Sequence, residues 1–162
     1  MALPKLNTAQ YELKVPSTGK TIEYRPFLVK EEKILLMALE GEEEKEMAKA
    51  IKQILSQCVL TENFKIDNLA LVDVEYIFLK VRGKAVGDKS KIYIVCTECE
   101  NKIEIELDLE AIKVDTHKDH TDLIKLTDDI QVRMVPPKME YLMATVSKNQ
   151  IDIVMDVIRD SI

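Results

Sequence analysis

Asp73-Val-Glu-Tyr-Ile-Phe-Leu-Lys-Val-Arg-Gly-Lys-Ala-Val-Gly87, followed after a polar turn by Lys91-Ile-Tyr-Ile-Val-Cys96-Thr-Glu-Cys99, decides the fold. Val74, Ile77, Phe78, Val81 and Ala85 recur at helical spacing and form one apolar stripe, so the first half is an amphipathic helix. The second half alternates as a strand and runs into a Cys-x-x-Cys turn. The chain before this stretch is mostly helical; after it come sheet and then helix again.

Working towards the N-terminus, Glu42 to Cys58 predicts a helix with Met47, Ile51, Ile54, Leu55 and Cys58 on one face. Glu42, Glu43 and Glu44 fall in its first turn, where carboxylates suit the helix dipole. Cys58 reads as a small buried hydrophobe. Lys30 to Glu40 predicts another helix, carrying Ile34, Leu35, Ala38 and Leu39, with Gly41 as its break. Tyr11 to Val15 and Thr21 to Arg25 alternate around Pro16-Ser-Thr-Gly-Lys20, a hairpin signature, and Pro26 stops the second strand.

Working towards the C-terminus, Lys91–Cys96 and Lys102–Leu107 make a hairpin with the cysteine pair at its tip, Ile103, Ile105 and Leu107 facing inward. Ile124–Leu126 and Ile130–Met134 make another around Thr127-Asp-Asp129. Four strands suffice for a small antiparallel sheet. Pro137 is placed to open a helix burying Tyr141, Leu142 and Val146. In the last helix Ile151, Val154, Met155, Ile158 and Ile162 form a stripe, and Ile153 and Val157 lie off it. The expected class is α+β: a helical N-terminal half with a small hairpin, then an antiparallel sheet of two hairpins, then C-terminal helices. Residues 1–162 read as one domain, with a soft division near Gly87 into 1–87 and 88–162.

With 162 residues, 46% hydrophobic and 32% charged, the chain can bury a core, which the 5% aromatic content leaves to Ile, Leu, Val and Met. A net charge of −6 and the lack of a basic stripe argue against nucleic acid or an anionic membrane as partner. No run approaches the ~20 apolar residues of a membrane span, and the N-terminus lacks the apolar core of a signal peptide. Three cysteines, an odd number, do not suit a secreted disulfide scaffold and point to a reducing cytoplasm.

Leu3-Pro-Lys-Leu-Asn7, Tyr11-Glu-Leu13, Pro16-Ser-Thr-Gly-Lys20, Tyr24-Arg-Pro-Phe-Leu-Val-Lys-Glu-Glu-Lys33 and Val74 through Gly87 occur in this order. As an ordered set they resemble the baseplate hub assembly proteins of T-even-type tailed phages, over essentially the whole chain. The resemblance implies a protein needed to build the tail baseplate hub, as hub component or assembly factor, without enzymatic chemistry. It implies other hub or tail proteins as partners, self-association as an option, and the host cytoplasm during assembly, or the virion tail, as location. Members of the family are somewhat longer, and this chain ends inside an expected helix, so a C-terminal portion beyond Ile162 is expected.

Cys96 and Cys99 are half of a zinc knuckle. His117 and His120 follow in the order of a structural Cys-Cys-His-His site, but their spacing of two residues falls below the usual three to five. The plainer reading is an inert cysteine pair beside a solvated loop, with no cofactor; zinc is the metal the alternative would take. A zinc-knuckle adaptor joining one protein to another is the second functional reading. No nucleophile motif and no glycine-rich phosphate loop supports an enzyme; the four glycines are scattered. Tyr76 and Arg82, off the Val74–Ala85 stripe, are interface candidates of the residue types enriched at hot spots. Ile153 and Val157 are the other two candidates, since nothing on their own helix face covers them.

Overall fold

The computed structural model describes residues 8–41, 44–139 and 150–162. Glu42 and Glu43, the motif at 3–7, and Tyr141, Leu142 and Val146 lie outside them. The first hairpin pairs β1 (Tyr11–Lys14) with β2 (Thr21–Tyr24), Tyr11 opposite Tyr24 and Lys14 opposite Thr21. Its loop closes through Gly19 N–H to Val15 O at 2.8 Å, with Gly19 at φ +67°, a conformation that glycine adopts without a Cβ clash.

Helices α1 (Val29–Glu40) and α2 (Glu44–Cys58) follow, then a 3₁₀ turn at Ile66–Asn68 and helix α3 (Leu71–Val86). The 3₁₀ turn falls inside what reads from sequence as a plain polar connection, and it buries Ile66. The spacing on α2 and α3 delivers one core: Ile54, Leu55 and Cys58 meet Val74, Ile77 and Val81, closed by Val15, Ile22 and Tyr24 of the hairpin. Phe78 packs against this core only partly buried, and on α1 Leu39 is exposed. The end of α2 is tied to β2 by Arg25 N–H to Cys58 O at 2.9 Å and Leu60 N–H to Glu23 O at 2.8 Å.

Two buried carboxylates fasten these elements. Glu31 is fully buried; its Oε1 accepts from Arg25 Nη2 at 2.9 Å and its Oε2 from Leu28 N–H at 2.8 Å, which caps the start of α1. Burial pushes this carboxyl up, but the Arg25 and Leu28 hydrogen bonds, with Lys30 beside them, outweigh burial and hold it below its usual range. Asp73, in the first turn of α3, is also fully buried and accepts Ser17 N–H at 2.9 Å and the Ser17 hydroxyl, locking the hairpin loop to the helix.

Gly87 at φ +132°, a region closed to most L side chains, turns the chain out of α3 into β3 (Lys89–Val95), which pairs with β4 (Lys102–Asp108). Then β5 (Leu123–Lys125) pairs with β6 (Gln131–Arg133). The described strands form three separate two-stranded sheets, so the two later hairpins do not join into one sheet. Neither contributes a residue to the core cluster. Met139 does: Met139 N–H reaches Leu69 O and Leu71 N–H donates to Pro137 O at 2.8 Å, bringing this segment back onto the core. The last described helix, α4 (Gln150–Asp160), is joined to the preceding segment by Val135 N–H to Ser161 O at 2.7 Å.

Candidate functional site

The β3–β4 hairpin is anchored at its base. Leu109 is buried there, with its N–H on Asp88 O at 2.7 Å. Lys80 of α3 donates to the carbonyls of Leu109, Glu110 and Ile112 at 3.0, 2.8 and 2.9 Å. Lys84, one turn on, pairs with Glu110 and lies 5.4 Å from the Tyr11 ring centre. Lysine carries three donors, so one Lys80 side chain holds the strand exit against the helix. A lysine on a helix face looks from sequence like a solvated charge, and nothing in the spacing marks Lys80 as this anchor.

Beyond its base the hairpin has two unlike faces. Ser90, Ile92 and Ile94 pair with Leu107, Ile105 and Ile103 on one side. The other side carries the charges: Lys89 pairs with Glu106 and Lys91 with Glu104, each at 2.6 Å, and Tyr93 Oη donates to Glu104 at 3.0 Å. The aliphatic side is the one expected to face inward. It is open instead: Ile94 is 48% and Ile103 55% exposed. Alternation separates two faces correctly, but no helix or sheet of the described residues lies over the apolar one.

At the tip the chain reverses through a knuckle. Cys96 N–H donates to Asn101 O at 2.9 Å and Glu100 N–H to Cys96 O at 3.0 Å, with Glu100 in the left-handed region at φ 55°. The backbone N–H groups of Cys99 and Glu98 and the Cys99 thiol donate to Cys96 Sγ, which holds its pKa below that of an ordinary thiol. Cys96 is half-buried and Cys99 exposed. Cys58 is the opposite case: burial in the core pushes its thiol up to about 11.

The structure does not bring His117 and His120 to this pair. Among the described residues no three His, Cys, Asp or Glu side chains gather into a metal-binding group. The reason is the hairpin itself. Seven residues of β4, at about 3.4 Å each, carry the chain away from the tip to the Lys80 anchor before the His segment begins. His117 sits in that exposed segment beside Asp119, at 3.7 Å.

Tyr76 and Arg82 are each half-buried on α3, and the Lys80 ammonium lies 5.2 Å from the Tyr76 ring centre. On α4 the faces are reversed from expectation. Ile153 and Val157 are the half-buried side, and Ile151, Val154, Met155 and Ile158 are exposed, Ile151 at 76%. An apolar stripe identifies a face that prefers cover, and the covered face of α4 is the one carrying Ile153, Val157 and, at its end, buried Ser161.

No described helix is long and apolar enough to cross a membrane. The described residues carry open aliphatic surface on a hairpin and a helix, and buried carboxylates hydrogen-bonded within the fold. The chain belongs to the family of T4 bacteriophage base plate proteins, whose sequence pattern it matches over residues 8–162. It is a phage baseplate structural protein whose partners are other tail and baseplate proteins. No curated protein and no solved structure matches it.

Proposed function

We propose that this protein serves the assembly of the baseplate hub, holding other tail proteins, without catalysis, in the arrangement from which the hub is built. Membership of the baseplate family over residues 8–162 carries this reading. The open apolar side of β3–β4 and the exposed stripe of α4 support it, because apolar surface of this kind on a protein usually marks an association site. The protein acts in the host cytoplasm during assembly and passes into the tail baseplate if it is retained as a hub component.

Mass spectrometry of purified tails beside that of hub assembly intermediates is the test. The protein is expected in the intermediates, bound to other hub proteins, and its presence in finished tails distinguishes component from factor. Absence from both, or turnover of a substrate abolished by one polar substitution, refutes the reading.

A further inference from the structure

The knuckle supplies two sulfurs held side by side, and a closed zinc site takes four ligands in a tetrahedron. Among the described residues nothing completes the set. Cys58, its third cysteine, is in the core, and His117 and His120 do not gather with the pair. A second molecule can supply the two missing ligands.

The hairpin indicates which molecule. Cys96 continues the alternation of Ser90, Ile92 and Ile94, so the sulfur pair stands at the end of the open aliphatic side. The sulfur pair and the open aliphatic side are therefore continuous. A two-fold axis running parallel to the strands satisfies both at once. It lays the aliphatic side of one hairpin on that of a second copy, and it brings the two knuckles together at one end. Packed sheets lie about 10 Å apart, a gap that two cysteine side chains and two Zn–S bonds of about 2.3 Å bridge. The apolar side alone is too small to hold two chains. It comes from two seven-residue strands, whereas stable interfaces use roughly 20–30 residues a side.

We propose that Cys96 and Cys99 from each of two copies of this chain bind one zinc ion as a tetrathiolate, joining the copies through the aliphatic sides of their β3–β4 hairpins. Each thiol gives its proton to solvent as its sulfur binds, and the ion undergoes no redox change. The metal supplies the hold that the area does not, and the apolar contact sets the orientation.

The full chain, purified under reducing conditions and stripped with chelator, is titrated with zinc chloride and followed by sedimentation and metal analysis. One zinc per two chains is expected, with a doubling of mass that chelator reverses. Cobalt in place of zinc is expected to give the sulfur-to-metal charge-transfer bands and intense visible bands of a tetrahedral thiolate site. Cys96→Ser and Cys99→Ser lose metal and dimer while keeping the wild-type circular dichroism, because the tip is outside the core. His117→Ala with His120→Ala keeps both. One zinc per chain without change of mass, no zinc bound, or a dimer that survives chelation or Cys96→Ser overturns the proposal. Zinc retained only in complex with a different tail protein overturns the second copy as the partner. The sample is the chain alone, so the result is independent of its role in the hub.

Discussion

Replacing Glu31 by Gln tests how the buried carboxylate holds the start of α1 to the first hairpin. Gln has nearly the same volume and keeps an oxygen for Leu28 N–H, so the cap survives. The other oxygen becomes an NH₂ group aimed at the Arg25 guanidinium, where a carboxylate accepted at 2.9 Å. Arg25 retains its bond to Pro26 O at 2.9 Å, but its charge loses its buried partner. Breaking a buried pair costs about 3–5 kcal/mol; with the cap preserved, the expected loss for Glu31→Gln is about 2–4 kcal/mol. The pH dependence carries the sharper content. Glu31 is held below its usual range when folded, so its contribution is present above its unfolded pKa of about 4.3 and disappears as pH falls through the lower folded value. Urea unfolding of wild type and Glu31→Gln at a series of pH values from neutral to acid measures this. The gap between the two proteins should be widest near neutrality and narrow in acid. A gap that is independent of pH, or below about 0.5 kcal/mol at neutrality, refutes the account of Glu31 as a charge-paired anchor.

Ile77→Ala empties a fully buried position and should cost about 2–5 kcal/mol, whereas half-buried Phe78→Ala should cost less than the ~3–5 of a fully buried phenylalanine; denaturant midpoints at a shared slope rank them. A thiol reagent should modify Cys96 and Cys99 at once in the metal-free protein and reach Cys58 only on unfolding, since burial raises the Cys58 thiol to about 11; three equally fast thiols would contradict the placement. On α4, Ile153→Asp with Val157→Asp should lower the melting temperature, while Val154→Asp with Met155→Asp should leave it unchanged and weaken binding to other tail proteins. Calorimetry and co-sedimentation separate these outcomes, and the reverse pattern would restore the orientation expected from the sequence.

Spacing alone determined the elements that form from local pattern. The helical period of Val74, Ile77 and Val81, and of Met47, Ile51, Ile54 and Leu55, chose both the helix and its buried face, because a single dominant stripe leaves one way to turn. Alternation separated the two faces of β1–β2 and β3–β4, because successive side chains of a strand point to opposite sides. The ordered motifs from Tyr11 to Gly87 carried the family. Tertiary structure decided what lies over each face. Ile103, Ile105 and Leu107 mark an apolar side in any strand, but whether a helix covers it depends on chain that is remote in sequence, and here Ile103 and Leu107 stay exposed while Ile105 is half-buried. The same holds for α4, where two apolar sides compete and the half-buried one carries Ile153 and Val157. Nothing in the spacing marks Glu31 or Asp73 as a buried acid. Only the arrival of Arg25 and Ser17 from the first hairpin supplies the hydrogen bonds that let those charges leave water. Cys96 and Cys99 were legible as a pair at a turn. That His117 and His120 stand apart from them is due to the length of β4 and the grip of Lys80 on the strand's exit, two features that act through space.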